Sequence, residues 1–226
     1  MARGARSDAE SPHAVRIPPL GLEGMLALPA AAAAVVAFAH GSGSSRASPR
    51  NVRVADALQQ RGLGTLLFDL LSEEEAAARE PVFDIPLLAR RLLHARRWLA
   101  GNEATSRLSV GYFGASTGAA AALLAAAAPG AAPVDAIVSR GGRPDLAQPV
   151  LARVRAPTLL IVGGRDPLVL ELNRAALAEL RCEKRLAIVP GATHLFEEAG
   201  ALDEVMALAG AWFAAHLVAA KEESQP

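Results

Sequence analysis

The segment 108–128 constrains the fold of this chain more than any other part of the sequence. An apolar run, 108–113, precedes the pentapeptide Gly114-Ala115-Ser116-Thr117-Gly118, and an alanine-rich stretch follows it. This pattern predicts a buried strand, a sharp turn and a helix. A serine on such a turn projects from the end of the sheet, and the flanking glycines let strand and helix pass close together. The segment therefore predicts a serine in a position typical of a nucleophile.

Short apolar runs recur along the chain, with helical segments between most of them. Besides 108–113, the predicted strands are 13–17, 22–28, 35–39, 63–67, 134–139, 158–162 and 185–189. The first two, joined by Pro18-Pro19, predict an antiparallel start to the sheet. The later alternation of strands and helices predicts an α/β fold, with a mostly parallel central sheet and helices on both faces. No long insertion follows the strand 134–139, so we expect only a minimal lid.

Composition excludes several classes of function. The chain has 226 residues, and its 23 basic and 23 acidic side chains cancel. We therefore expect neither nucleic acid nor an anionic membrane as a partner. We predict a flexible N-terminal arm over residues 1–12, one domain over 13–219 and a C-terminal tail over 220–226. The single cysteine, Cys182, fits a reducing, cytoplasmic setting.

Ser116 requires a general base and an acid that orients this base, because a serine hydroxyl is a weak nucleophile near neutral pH. Of the five histidines, His194 lies in a loop after the last predicted strand. Asp166 follows the strand 158–162, and Asp145 is the second candidate for the acid. The order Ser116, Asp166, His194 is that of the α/β-hydrolase arrangement. We predict these three as the catalytic residues.

A tetrahedral oxyanion requires two N–H donors that are already in place. Thr117, the residue after the serine, is the first predicted donor. The second is expected in the loop that follows strand 35–39, with the Ser42 backbone as first choice and Gly43 as second. In the same loop, we expect His40 to brace the backbone beside the bound substrate. Gly43 is also expected to line the substrate-binding site.

Motifs for nucleotide and metal binding are missing from the sequence. The Gly41-x-Gly43 loop lacks the third glycine of a dinucleotide fingerprint, and no G-x-x-x-x-G-K-S/T motif follows a strand. Neither H-E-x-x-H nor a cysteine pair occurs. We predict no metal and no cofactor.

Taken together, these motifs resemble the α/β-hydrolase superfamily, and the small size and short insertions resemble its dienelactone hydrolase-related branch. The stretches HGSGSSR (40–46), SPRN (48–51) and SRGGRPD (139–145) are similar to a group of hydrolase-like proteins, some of them joined to phosphoribosyltransferase domains. This resemblance covers residues 13–217 and implies the α/β-hydrolase fold. It also implies association with a phosphoribosyltransferase. Dienelactone hydrolases carry a cysteine nucleophile, where this chain has Ser116.

Three arginines lie near the predicted catalytic strand ends. Arg46 and Arg50 flank a predicted helix N-terminus at Ser48-Pro49, and Arg140 follows the strand 134–139. A helix N-terminus with guanidinium groups nearby can hold a carboxylate or a phosphate. One interpretation is that Arg46 and Arg140 select an anionic substrate group. The other is that they hold loops by pairing with acidic residues, namely Asp69, Glu73 or Asp145.

The sequence thus predicts a cytoplasmic serine hydrolase that cleaves a carboxylic ester or related small acyl compound through an acyl-enzyme. Acyl transfer and thioester hydrolysis would use the same residues. An alternative of another class is a noncatalytic module on the same fold that binds a ligand or a partner. The presence of all three predicted catalytic residues favours the enzyme. Natural substrate and oligomeric state are left open by the sequence.

Overall fold

Eight strands form one sheet in the computed structural model, which describes residues 12–218. They are β1 (His13–Ile17), β2 (Leu22–Ala27), β3 (Ala34–Ala39), β4 (Gly64–Phe68), β5 (Ser109–Ala115), β6 (Ala136–Arg140), β7 (Thr158–Gly163) and β8 (Lys184–Val189). Their order is β1-β2-β4-β3-β5-β6-β7-β8. Strand β2 is antiparallel to both neighbours, and every pair from β4 to β8 is parallel. The predicted arm and tail lie outside the described residues, apart from residue 12.

Helices connect the strands and cover both faces of the sheet. They are α1 (Pro49–Gln59), α2 (Glu73–Ala77), α3 (Arg79–Phe83), α4 (Ile85–Gly101), α5 (Thr117–Ala126), α6 (Pro167–Glu179) and α7 (Ala201–Phe213), with a 3-10 segment at Pro144–Arg153 and a π-helical turn at Ala214–Val218. Helices α1 and α7 pack on one face, and α4, α5, α6 and the 3-10 segment pack on the other. The predicted α/β-hydrolase fold is confirmed.

The central strands are buried on both faces, which explains their nearly continuous apolar sequences. Every residue of β3, β4, β6 and β7 is buried. Side chains along β6 alternate between the faces: Val138 packs on the α1–α7 side, and Ile137 on the other. The same alternation directs Arg140, the last residue of β6, toward the α1–α7 side.

Residues 72–83 include the short helices α2 and α3, which the sequence did not predict. Ser72 caps α2 by accepting a hydrogen bond from the Glu75 N–H, and the Glu75 carboxylate accepts one from the Ser72 N–H. Glu75 also pairs with the buried Arg91 of α4 at 2.5 Å. Local capping and one ion pair therefore order a segment that has no hydrophobic periodicity.

The C-terminal helical segment, 201–218, is long and apolar enough to cross a membrane by length and composition alone. Its apolar stripe, which includes Val205, Ala209 and Phe213, is fully buried against the sheet. Packing against the sheet accounts for the apolar character of this stripe.

Candidate active site

Ser116 stands at a sharp turn between β5 and α5, with a backbone φ of +52° and ψ of −121°. A Cβ atom on Gly114 would lie 2.4 Å from the Cα of Ala119, and one on Gly118 would lie 2.1 Å from the carbonyl oxygen of Ala39. Both distances are far below van der Waals contact. Only glycine at these two positions lets α5 begin so close to β5 and β3, so the predicted strand–turn–helix is confirmed.

The backbone of Ser116 is held by the loop that follows β6. Its N–H donates to the carbonyl oxygen of Arg140 at 3.2 Å, and its own carbonyl oxygen accepts from the Arg143 N–H at 3.1 Å. Among residues 12–218, the Ser116 hydroxyl has no hydrogen-bond partner. The turn is therefore fixed in position while its hydroxyl stays free to react.

The two predicted oxyanion donors lie next to each other. Thr117 is the first residue of α5, so its N–H has no intrahelical acceptor. The Ser42 N–H donates to the Thr117 hydroxyl oxygen at 2.9 Å. Within the described chain the N–H of Gly43 has no acceptor. The Ser42 N–H, the first choice for the second oxyanion donor, is thus already hydrogen-bonded. The Gly43 N–H, the second choice, has no acceptor within the described chain.

His40 braces the loop that carries these amides. Its Nε2 accepts a hydrogen bond from the Leu70 N–H at 3.0 Å, which places the ring proton on Nδ1, 3.0 Å from the carbonyl oxygen of Gly41. Burial lowers the pKa of the His40 imidazole, and the ring is neutral in this arrangement. Both ring nitrogens form hydrogen bonds to backbone groups. This geometry agrees with the bracing role that the sequence predicted for His40.

The predicted base and acid are in contact. His194 Nδ1 lies 2.8 Å from Asp166 Oδ2. The Asp166 side chain is largely buried, and the His194 side chain is 40% exposed. This pairing fixes the ring so that Nε2 faces away from the carboxylate, which is the orientation of a general base.

Backbone contacts join the two loops that carry this pair. The Arg165 N–H donates to the carbonyl oxygen of Ala192 at 2.9 Å. A Cβ on Gly163 would lie 2.4 Å from the same oxygen, so β7 can approach the loop this closely only at a glycine. The Thr193 N–H donates to the carboxylate of Glu198. Hydrogen bonding with Thr193, through its side chain first, lowers the Glu198 pKa.

Ser116 and His194 both border the turn Arg140-Gly141. The Ser116 N–H bonds the Arg140 carbonyl oxygen, and a Cβ on Gly141 would lie 3.5 Å from Cε1 of His194. In the part of the chain that the structure describes, no direct hydrogen bond joins Ser116 Oγ to His194 Nε2. Such bonds are often long in unliganded enzymes and shorten when substrate binds.

Asp145, the second candidate for the acid, has another partner. Its two carboxylate oxygens accept from the Arg143 guanidinium at 2.8 and 2.7 Å. This bidentate bond raises the pKa of Arg143. Of the two candidate acids, Asp166 is the one that contacts His194.

The predicted anion-binding arginines differ sharply in their partners. Arg46 pairs through its guanidinium with Asp69 and with Glu23, and its backbone N–H donates to Asp69 at 2.7 Å. Of the two interpretations of Arg46, this geometry favours the loop-holding one. Arg50, in the first turn of α1, pairs with the exposed Glu197 at 3.0 Å.

Arg140 is 8% exposed and has no carboxylate partner among the described residues. Its Nη2 lies 3.4 Å from Oδ1 of Asn51, and its Nε and Nη1 have no acceptor. The Phe196 ring centroid lies 6.0 Å from the guanidinium carbon. Burial, with a smaller contribution from Arg50, lowers the pKa of Arg140 to about 10, so this isolated guanidinium still carries its charge at neutral pH.

Known proteins resemble this chain along most of its length, although no protein-family model matches it. It is 54% identical to the dienelactone hydrolase of Anabaena variabilis, whose crystal structure superposes with a TM-score of 0.87 over 92% of this chain and 97% of that one. The chain belongs to the dienelactone hydrolase-related branch of the α/β-hydrolase superfamily.

Two further comparisons relate this dienelactone hydrolase-related protein to known proteins, one by sequence and one by fold. It is 57% identical over 199 residues to a Mycobacterium tuberculosis protein named "Putative phosphoribosyl transferase", a match that covers 88% of this chain and 45% of that protein. The chain thus spans less than half the length of this curated relative. Est1E from Butyrivibrio proteoclasticus shares the fold at 15% identity, with a TM-score of 0.74 over 90% of this chain.

A cavity of about 400 Å³ adjoins the Ser42 loop in this hydrolase-family chain. Gly41, in its wall, packs against Ser116, since a Cβ on Gly41 would lie 3.2 Å from Cβ of Ser116. Ser116 itself does not line the cavity. Apolar side chains from the far side complete the wall, namely Leu71, Val82 and Leu88. Among residues 12–218 no cluster of three or more His, Cys, Asp or Glu side chains could hold a metal ion.

Sequence reasoning missed several residues that build this family member's site. The Thr117 hydroxyl, the Asn51 amide and the Phe196 ring make contacts that no motif predicted. Asn51 lies within the SPRN stretch that carried the family resemblance, so that motif was a signal for its position. Phe196 has a φ of +55°, which nothing in the local sequence indicates.

Proposed function

We propose that this protein is a serine hydrolase that cleaves a carboxylic ester through an acyl-enzyme on Ser116. His194 is the general base and Asp166 orients it. The Thr117 N–H and an amide of the Ser42–Gly43 turn stabilise the oxyanion, with Gly43 favoured because its N–H has no other acceptor.

The observation that carries the proposal is the backbone of Ser116. A positive φ in a residue other than glycine is unfavourable by about 1–3 kcal/mol and persists only where surrounding contacts enforce it. Here two glycine-dependent close approaches enforce it, and its result is a free hydroxyl at a strand end. Such a turn is typical of a serine that acts as a nucleophile.

The proposed reaction has two steps, acylation of Ser116 and hydrolysis of the acyl-enzyme. Ser116 Oγ attacks the ester carbonyl carbon while His194 Nε2 takes the hydroxyl proton, and the imidazolium then returns this proton to the departing alkoxide. Water attacks the acyl-enzyme by the same route, and Ser116 regains its proton. The hydrogen bond at 2.8 Å lets Asp166 stabilise the imidazolium in both steps.

Two comparisons support a hydrolase over other uses of the fold. The Anabaena structure is that of a dienelactone hydrolase, and the carboxyl esterase of Tuber melanosporum shares the fold with a TM-score of 0.71 at 16% identity. Acyl transfer and thioester hydrolysis stay alternatives on the same residues, and the noncatalytic module stays the alternative of another class.

A fluorophosphonate probe tests the proposal directly, because it phosphonylates an activated serine and no ordinary one. We expect labelling at Ser116 of the folded protein, and none in the Ser116→Ala variant with unchanged thermal unfolding. Absence of labelling in the folded protein, or labelling that persists in Ser116→Ala, would overturn the enzyme assignment.

Association with a phosphoribosyltransferase domain stays a prediction, as does a cytoplasmic location. The name of the Mycobacterium relative supports the first, since that protein is more than twice as long as the stretch it shares with this chain. Co-purification of this chain with separately produced phosphoribosyltransferase domains, followed by light scattering, measures the association.

A further inference from the structure

We propose that Asn173 is a positioning residue for the hydrolytic reaction. Its side-chain amide joins α6, the helix that begins after the acid Asp166, to the peptide group that holds the carbonyl oxygen of Ser116. This inference rests on the proposed serine hydrolase function and adds a residue that acts through its neighbours.

The position of Asn173 in α6 favours an apolar side chain. The buried residues of this helix are Val169, Asn173 and Ala176, which form one stripe at spacings of four and three residues. Asn173 is 0% exposed. Asparagine is a weaker helix former than leucine or alanine, and burying an amide is unfavourable unless it is hydrogen-bonded. A polar side chain here therefore calls for a specific contact.

The Asn173 amide donates both of its hydrogens to backbone. Nδ2 lies 2.8 Å from the carbonyl oxygen of Val169, one turn earlier in α6, and 2.9 Å from that of Gly142. Because both acceptors are carbonyl oxygens, the amide cannot be turned round without losing both bonds. Among residues 12–218 no other group donates to the Gly142 carbonyl oxygen. Asn173 is thus the donor on which this buried carbonyl depends.

The bonded carbonyl belongs to the peptide group that holds the nucleophile turn. The Gly142 C=O and the Arg143 N–H are the two ends of one planar peptide group. The Arg143 N–H donates to the carbonyl oxygen of Ser116 at 3.1 Å. Hydrogen bonds linked through one peptide group polarise and strengthen each other. The Asn173 amide therefore fixes the plane of this peptide and strengthens its bond to Ser116.

Close packing keeps this peptide group from absorbing a displacement. A Cβ on Gly142 would overlap Oγ of Ser139 and would lie 2.6 Å from Cβ of Ala119 in α5. Only glycine fits between these atoms. Because the space is filled, a shift of the Gly142 carbonyl moves the adjoining N–H with it.

The other end of the connection is the acid. Asp166 is the N-cap residue of α6, and its carbonyl oxygen accepts from the Leu170 N–H at 2.9 Å. Its carboxylate lies 2.8 Å from His194 Nδ1. Helical backbone spans the distance of about 10 Å between Asp166 and Asn173. Asn173 thus joins the element that carries the acid and base to the turn that carries the nucleophile.

Replacement of the amide by an apolar group tests this connection kinetically. Asn173→Leu keeps the approximate size of the side chain and removes the donor. We expect kcat on p-nitrophenyl butyrate to fall about 10- to 100-fold with KM nearly unchanged, because displacement of a catalytic group by about 1 Å has an effect of this size. Wild-type kcat in this variant would overturn the proposal.

Leu180→Ala is the matched control for loss of stability alone. Leu180 is 1% exposed and is the C-cap residue of the same helix, at the end remote from Asp166. This substitution should lower the Tm and leave kcat near wild type. A loss of kcat equal to that in Asn173→Leu would make the effect one of stability and overturn the proposal.

The pH profile of Asn173→Asp provides a second test. An ionised carboxylate cannot donate to the Gly142 carbonyl oxygen, whereas a protonated one has an O–H that can. Burial favours the neutral form of an introduced carboxyl group. We therefore expect Asn173→Asp to have a higher kcat than Asn173→Leu at the acidic end of the range pH 5.5–8.5. Taking the ratio of the two variants removes the titration of His194, which they share. A ratio of one or below at every pH would overturn the proposal.

Hydrogen exchange measured by NMR tests the contact without turnover. In Asn173→Leu we expect the Arg143 N–H to exchange at least tenfold faster than in wild type. The Gly141 N–H, which donates to the carbonyl oxygen of Ile161 at 2.8 Å, should keep its rate. Both amides lie in the same loop, so a general loss of stability would accelerate both. Equal acceleration of the two, or acceleration of neither, would overturn the proposal.

These measurements separate the role of Asn173 from the proposed function. If wild type reacts with neither the fluorophosphonate nor the ester while the Arg143 amide responds as expected, the hydrolase assignment fails and the connection to the Ser116 turn stands. If wild type hydrolyses the ester and Asn173→Leu keeps both its kcat and its Arg143 exchange rate, the hydrolase assignment stands and the positioning role fails.

Discussion

The two sides of the Ser116 turn differ in how completely their polar groups are bonded. On the β3 side, His40 uses both ring nitrogens and Arg46 is neutralised by two carboxylates. On the β6 side, Arg140 is buried without a counterion and the exposed edge of His194 has no partner among the described residues. The first side holds a loop in place, and the second keeps groups available for a substrate.

This contrast shows that the same residue type serves opposite purposes a short distance apart. The sequence does not distinguish the roles of Arg46 and Arg140, since both lie near predicted strand ends. A paired guanidinium stabilises the fold, whereas an unpaired buried one destabilises it and can act on a ligand. Substitutions on the two sides should therefore affect different measurements.

The largest effect is expected on the β6 side, at Asp166, the partner of His194. Asp166→Asn should lower kcat on p-nitrophenyl butyrate by about 10³- to 10⁴-fold, because the imidazole loses the acid that orients it and stabilises its charge. Asp145→Asn is the matched control, since its carboxylate is bonded to Arg143. It should lower stability while leaving kcat near wild type. Loss of kcat in Asp145→Asn with activity retained in Asp166→Asn would contradict the assignment.

The next effect is a change in the free energy of unfolding, which we expect to have opposite signs for substitutions at Arg46 and Arg140. Arg46→Met should lower the free energy of unfolding by about 1–3 kcal/mol, since it leaves the partly buried Asp69 with only the backbone N–H of residue 46 as partner. Arg140→Met should raise it by about 1–3 kcal/mol, because an apolar side chain replaces an uncompensated charge. Urea unfolding near neutral pH measures both. Destabilisation of equal size in the two variants would remove the contrast.

A smaller effect is expected at Thr117, whose hydroxyl joins the two sides. Thr117→Val removes the acceptor of the Ser42 N–H and loosens the oxyanion loop, so kcat should fall about tenfold with little change in KM. Thr117→Ser keeps the hydroxyl and should retain most of the activity. Unchanged or higher kcat in Thr117→Val would instead identify the freed Ser42 amide as the oxyanion donor.

The smallest effect is a pH dependence on the β3 side. Burial lowers the His40 pKa below its ordinary value of 6.5, so below that pH the unfolded chain binds more protons than the folded one. Neutral His40 makes its full contribution to the free energy of unfolding above pH 6.5. This contribution decreases as the pH falls, by at most about 1.4 kcal/mol per pH unit. Urea unfolding between pH 7.5 and 5 should show a shallower dependence in His40→Gln. An identical slope in both proteins would assign the effect to groups other than His40.

The sequence predicted the eight strands and the position of Ser116 because these follow from local patterns. Buried parallel strands require nearly continuous apolar runs, and a strand–turn–helix around a nucleophile requires glycines at fixed spacing. Helices α2 and α3 were not predicted, since neither buries an apolar stripe and α2 depends on an ion pair with Arg91, a residue of the distant helix α4.

Sequence alone determined the α/β class, the strand–turn–helix at Ser116 and the choice of His194 and Asp166 as candidates, because these depend on periodicity, turn chemistry and chain order. Only the tertiary structure decided which acid contacts His194 and which arginine lacks a partner. Asp166 and Asp145 both follow strands, and Arg46 and Arg140 both lie near strand ends. Asp145 pairs with Arg143, two residues away, whereas Arg46 pairs with Asp69 and Asp166 with His194 across long stretches of the chain. Arg140 has two guanidinium nitrogens without an acceptor. The long-range contacts depend on how the strand ends are brought together, which local sequence does not encode.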